Sequence, residues 1–170
     1  VALVLETGAG LSNATSFASV AEADAYSAWQ GSYSTATKEA ALNAASRFLA
    51  QTYEGRWQGY RVRQEQALPW PRSGVYDSDE FPVGWNSVPL AVKHATIEAA
   101  ARHAAGTVLA PDQAGAGTVE VDRIKVGPIE LETRYANAQV PSGSSPTERF
   151  PVIERLLRPL LRSGNEVRLG

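Results

Sequence analysis

A chain of 170 residues that is 44% hydrophobic and 20% charged has the size and composition of one globular domain with its own core. Cysteine is absent, so disulfide frameworks, thiolate metal sites and cysteine nucleophiles are excluded. The net charge of -2 lacks the basic excess of a general nucleic-acid binder, and no apolar run approaches the roughly 20 residues of a membrane span. The expectation is a soluble protein of a reducing cytoplasm with no contact to a membrane. The opening VALVLETGAG has no basic n-region and too short an apolar stretch for a signal peptide.

In chain order, residues 1–18 read as an extended arm with turns, marked by Gly8, Gly10, Ser12 and Asn13. SVAEADAYSAWQG opens with a capping box, Ser19 capping the first turn and Glu22 reaching back to it, and Gly31 is the expected stop. TATKEAALNAASRFLAQTYEG is a longer helix, with Leu42, Ala45, Leu49 and Tyr53 at helical spacing and Gly55 at its end. Pro89 suits a first helical turn, and PLAVKHATIEAAARHAAG runs on to Gly106. Val92, Ala95, Ile97, Ala99 and Ala100 make this third helix apolar over much of its girth and therefore central.

The period then changes. TVEVDRIKVGPIELETRY alternates about Gly127-Pro128 as a hairpin over 118–135. Its apolar phase slips between Val119-Val121 and Ile124-Val126, and a bulge near Asp122-Arg123 repairs the slip. Residues 136–149 are a flexible linker rich in Ser, Pro and Gly, and 150–170 hold an amphipathic helix interrupted by Pro159. The fold class expected is mainly α: a small helical bundle with one β-hairpin, an extended N-terminal arm and a C-terminal tail. Residues 19–135 form the main body.

Signatures of chemistry are few. His94 and His103, nine residues apart, lie roughly 180° from each other on a helix and cannot share a metal. His94 with Glu98 has one-face spacing but supplies only two ligands. GAGLSNATS and GAGTVEVD lack the P-loop lysine, and there is no nucleophile elbow or zinc-protease motif. Glu130 and Glu132 share a strand face, which the alternation with Ile129 and Leu131 explains without catalysis. No enzymatic activity, metal or cofactor is expected.

The segment between the second and third helices has no hydrophobic period but is rich in rings and prolines. Arg56, Arg61, Arg63 and Arg72 interleave with Trp57, Tyr60 and Trp70, as in grooves that bind single-stranded nucleic acid. The competing reading makes Trp57, Trp70 and Trp85 anchors of a long loop, with arginines snorkelling outward and Asp77, Asp79 and Glu80 cancelling their field. At the C-terminus, Arg155, Arg158 and Arg162 line one helical face, and Leu157 and Leu161 belong to an apolar stripe. That helix docks on its own bundle or, released by the linker, on a partner.

The order SFASVAEADAYSAWQG, KEAALNAASRFL…YEGRWQGYRV…QALPWPRSGV, VPLAVKHATIEAA and IKVGPIELETRY, from Ser16 to Leu161, resembles the head–tail connector proteins of tailed phages. These are also called adaptor or head-completion proteins, and some relatives are labelled DnaT-like single-stranded DNA-binding proteins. The resemblance implies a virion protein assembled in the bacterial host cytoplasm. It would form a homo-oligomeric ring, twelve-fold in the family, around the channel through which packaged double-stranded DNA passes. Its implied partners are the portal protein and a downstream neck, stopper or tail protein. Arg155, Leu157, Arg158, Leu161 and Arg162 would then face a partner, and Ile124, Lys125, Val126, Gly127, Pro128 and Ile129 would form an assembly hairpin. The alternative is a single-stranded DNA-binding module that uses Arg56, Arg61, Arg63 and Arg72.

Overall fold

The structure, a computed structural model, describes residues 2–109, 123–126, 129–132 and 150–162. The chain divides into two compact units, one of residues 1–109 with 150–170 and one of residues 110–149.

In the first unit, α1 (Val20–Tyr26) begins at the capping box. The Ser19 hydroxyl accepts from the Glu22 amide at 3.2 Å, and the Glu22 carboxylate accepts from the Ser19 amide at 2.7 Å. This satisfies two donors that a helix start leaves orphaned. The helix stops at Ser27, whose left-handed backbone (φ 59°) terminates it well before the expected Gly31. Helix α2 (Thr35–Thr52) is capped by Ser34 and buries Ala41, Leu42, Ala45, Phe48 and Leu49, a single stripe at helical spacing. It ends at Tyr53, two residues before Gly55.

Helix α3 (Leu90–Ala104) is the centre of the unit. It buries Val92, Ala95, Thr96, Ile97, Ala99, Ala100 and Ala101, and its small side chains let α2 lie close along it. Helix α4 (Pro151–Leu157) covers another side of α3 and tightens into a 3-10 turn (Arg158–Leu160). Pro159 lies inside that turn, so the proline expected to interrupt the helix marks its change of pitch. Ile153 and Leu157 are fully buried and Leu160 nearly so. Phe150 meets Phe48 of α2 edge to face at 5.7 Å. The C-terminal helix is thus part of the core of its own chain.

Residues 2–18 contain no helix, and they are pinned down by their own polar groups. Leu5 and Ser16 form a parallel bridge. The fully buried Glu6 carboxylate accepts from the amides of Gly8, Gly10 and Leu11 at 2.8–3.0 Å. Gly8 has φ 104°, and a Cβ there would sit 2.0 Å from the Asn86 carbonyl oxygen, so only glycine permits the arm to approach that loop.

Within residues 110–149, β3 (Arg123–Val126) pairs antiparallel with β4 (Ile129–Glu132). The register sets Ile124 opposite Leu131, Val126 opposite Ile129, and Lys125 opposite Glu130. The Gly127-Pro128 turn, the bulge near Asp122-Arg123, the outer parts of the hairpin, the linker 136–149 and the tail after Arg162 lie outside the described residues. No helix among the described residues is long and apolar enough to cross a membrane.

Candidate nucleic-acid interface

After α2 the chain turns at Gly55 and runs antiparallel to the end of α4. The Gln58 amide donates to the Leu160 carbonyl at 3.0 Å, and the Arg162 amide donates to the Arg56 carbonyl at 2.7 Å. Trp57 and Leu161 form the bridge between these bonds. A short ribbon follows, in which β1 (Tyr60–Arg61) pairs with β2 (Arg72–Ser73). Gly59 (φ 61°) precedes it, and a Cβ there would lie 2.1 Å from the Ser73 carbonyl oxygen. The close approach of the two backbones therefore requires glycine at this point.

The aromatic loop is held from inside. Trp57 is 2% exposed and Trp70 fully buried, their rings edge to face at 5.9 Å, and Tyr53 continues the row at 5.8 Å from Trp57. The Gln66 side chain links three loop backbones: it donates to the Leu68 and Pro71 carbonyls and accepts from the Arg63 amide. Arg72 clamps the ribbon, its guanidinium donating to the carbonyls of Gln58, Gly59 and Pro69 at 2.6–3.2 Å. Burial lowers the Arg72 pKa from its ordinary value, and the positive charges of Arg162 and Arg61 lower it further.

Two sequence expectations are corrected here. Trp85 is not a loop anchor: it sits in a turn with its side chain 61% exposed, while the flanking Val83 and Val88 make the contacts with the core. Arg72 is not a free cation for a nucleic acid, since its donors are used on backbone carbonyls. A third correction concerns the surface assigned to a partner. Leu157 points into the core of its own chain and cannot face another protein. Leu161 is half-buried against Trp57.

The exposed arginines converge instead. Arg56, Arg155, Arg158 and Arg162 line a groove of about 480 Å³ with Pro151, Glu154 and Leu161. Four guanidinium groups against one carboxylate give a local excess of positive charge on a chain whose net charge is negative. Arg56 sits over the Tyr53 ring at 5.2 Å, which holds its charge at the rim. Burial raises the Tyr53 hydroxyl pKa, Glu154 raises it further, and Arg56 opposes them. None of the four arginines forms a salt bridge with a described carboxylate. Arg61, also exposed, lies on the adjoining ribbon, whereas Arg63 lays its methylene groups against Gly10 of the N-terminal arm. Arg162 follows the extended Leu161, beyond the helical turns, so only the spacing of Arg155 and Arg158 on a helix was readable in the sequence. That Arg56 joins them was not, because the Gln58–Leu160 and Arg162–Arg56 bonds span about a hundred residues.

Elsewhere the titratable groups serve packing. Glu98 accepts from the Tyr26 hydroxyl at 3.2 Å and from Arg102 at 2.6 Å, and the Tyr26 and His94 rings lie 4.5 Å apart. His103 is exposed at the end of α3. Among the described residues no three acidic or histidine side chains are grouped to hold a metal.

Residues 1–169 fit the model of the family described as "Putative DnaT-like ssDNA binding protein". The chain belongs to this family. No curated protein and no solved structure matches it. The DnaT-like label concerns the chain as a whole, and the match assigns no residue to a ligand.

Proposed function

We propose that this DnaT-like chain binds single-stranded DNA, with the phosphate backbone lying along the groove of Arg56, Arg155, Arg158 and Arg162. The observation that carries the reading is the convergence of four exposed guanidinium groups, free of described salt-bridge partners, on one groove. Guanidinium groups suit phosphate because their donors form a planar fork that meets two oxygens at once. Such binding involves no bond-making step, so the chain acts as a binding module with no catalytic residue. The family description supports the nucleic-acid class. The ring-adaptor role rests on the order of sequence motifs alone, and part of the segment assigned to portal docking is committed to the chain's own core.

The test is the salt dependence of binding to a labelled oligothymidylate, read by fluorescence anisotropy. Each phosphate engaged contributes about -0.7 to the slope of log K against log salt for a single strand. The double variant R155E/R158E should bind more weakly and with a slope shallower by about 1.4, if each arginine meets one phosphate. Wild-type protein that fails to bind at low salt, or binds with no salt dependence, would overturn the proposal.

A further inference from the structure

The arginine groove explains how a backbone could be held, but not how single strands would be distinguished from duplex. The structure points to a site for the bases beside it. We infer that Tyr60 and Tyr76 form a stacking strip for unpaired nucleobases, contiguous with the arginine groove. This inference rests on the single-stranded DNA reading above and adds the residues that make it selective.

Three observations carry it. Tyr60 is 67% exposed and Tyr76 54% exposed, whereas Trp57 and Trp70 beside them in the chain are buried; Phe81 and Trp85, also exposed, lie on the far side of the acidic Asp77–Glu80 stretch in the sequence. An exposed ring on a fixed backbone is what base stacking needs, and these backbones are fixed. Tyr60 pairs with Ser73 in the ribbon, and Tyr76 is bridged to Pro82 while Val83 bonds back to Val75 at 2.9 Å.

The second observation is location. The Gln58 side chain donates through Nε2 to the Pro159 carbonyl at 2.8 Å and accepts through Oε1 from the Tyr76 amide at 3.4 Å. One side-chain amide thus spans from the turn that carries Arg158 to the backbone of Tyr76. Tyr60 follows Gln58 by two residues and is next to Arg61, whose charge, with that of Arg162, is felt at Arg72. The backbones that carry Tyr60 and Tyr76 are therefore tied to the segment that lines the arginine groove.

The third observation sets where the strip ends. Beyond Tyr76 the turn carries Asp77, Asp79 and Glu80. Asp77 accepts from the amides of Asp79 and Phe81 at 2.9 Å, which fixes this acidic tip in place. A polyanion is repelled there, so a strand held by the groove meets Tyr60 and Tyr76 and is turned away from Phe81. Stacking on such rings tolerates any base, because every base has a π-face.

The test compares wild type with Y60A/Y76A and Y60F/Y76F on three probes of equal length: oligothymidylate, an abasic single strand, and a duplex. Melting temperatures establish that the exposed substitutions leave the fold intact. The alanine variant should lose about tenfold or more in affinity for oligothymidylate per ring removed, with an unchanged salt slope. Its affinity for the abasic strand should equal that of wild type. The phenylalanine variant should retain binding, since stacking does not use the hydroxyl. Wild-type binding to oligothymidylate that Y60A/Y76A leaves intact, or that a duplex matches, overturns the strip while sparing the groove. Equal losses in the alanine and phenylalanine variants overturn stacking in favour of hydrogen bonding. A wild-type protein that binds no strand overturns both inferences together.

Discussion

At the scale of single residues, the loop between α2 and α3 separates rings that hold the fold from rings that face solvent. Trp70 is fully buried against Trp57, whereas Trp85 is mostly exposed. Trp70→Ala should destabilise the protein by about 3–5 kcal/mol, the range for truncating a buried large aromatic. Trp85→Ala should change stability by no more than about 0.5 kcal/mol. Urea unfolding of the two variants side by side checks both, and equal effects would refute the distinction. The difference was only half legible. Pro69 and Pro71 frame Trp70 rigidly, and Trp57 is close in sequence, so their pairing is a local matter. Whether Trp85 meets the core depends on where an acidic turn folds, and its own neighbours, Gly84 and Asn86, carry no such signal. Arg72 was misread for a related reason: composition shows a cation but not the three carbonyls that surround it.

At the scale of elements, α1 is short and depends on its start. Ser19→Ala removes the cap and should cost about 1 kcal/mol, measurable by thermal or chemical denaturation. Glu22 serves both the cap and a 2.6 Å ion pair with Lys93 of α3. Partial burial raises its carboxyl pKa, but the bonds from Lys93 and Ser19 outweigh that and leave it below the ordinary value. A lowered folded-state pKa means stability that is present above the unfolded pKa and lost as pH falls through the folded one. Stability of the wild type should therefore decline in acid more steeply than that of Glu22→Gln. A denaturant series across that range checks this, and parallel curves would refute it. The capping box, the alanine-rich faces of α2 and α3 and the hairpin strands were legible because each is a local pattern. The end of α1 was not, since a left-handed Ser27 has no marker as clear as glycine.

At the scale of the whole molecule, the first unit is discontinuous in sequence. The chain leaves it after Leu109 and returns at Phe150, and both residues are buried. Deleting residues 150–170 uncovers the surfaces that pack against Phe150, Ile153, Leu157 and Leu160. The truncated chain should lose its cooperative unfolding transition, and Ile153→Ala alone should cost about 2–5 kcal/mol. Near-ultraviolet circular dichroism with thermal melting reads both, and a truncated protein that melts like the full chain would refute the docking. The amphipathic pattern of 150–170 favours a helix docked on its own bundle but also admits one docked on a partner. An amphipathic stripe states that a face is covered without stating by what.

The bonds Gln58–Leu160 and Arg162–Arg56 have a thermodynamic consequence beyond architecture. One wall of the arginine groove is the end of α4 and the other is the segment after α2, so the groove exists only while the two are joined. Closing the fold and holding a ligand there are then linked equilibria, and each must favour the other by the same free energy. A ligand at a hundredfold excess over its dissociation constant would add about 2.7 kcal/mol to the stability of the joined state. Any agent that frees the C-terminal segment would in turn abolish the groove without touching a single arginine.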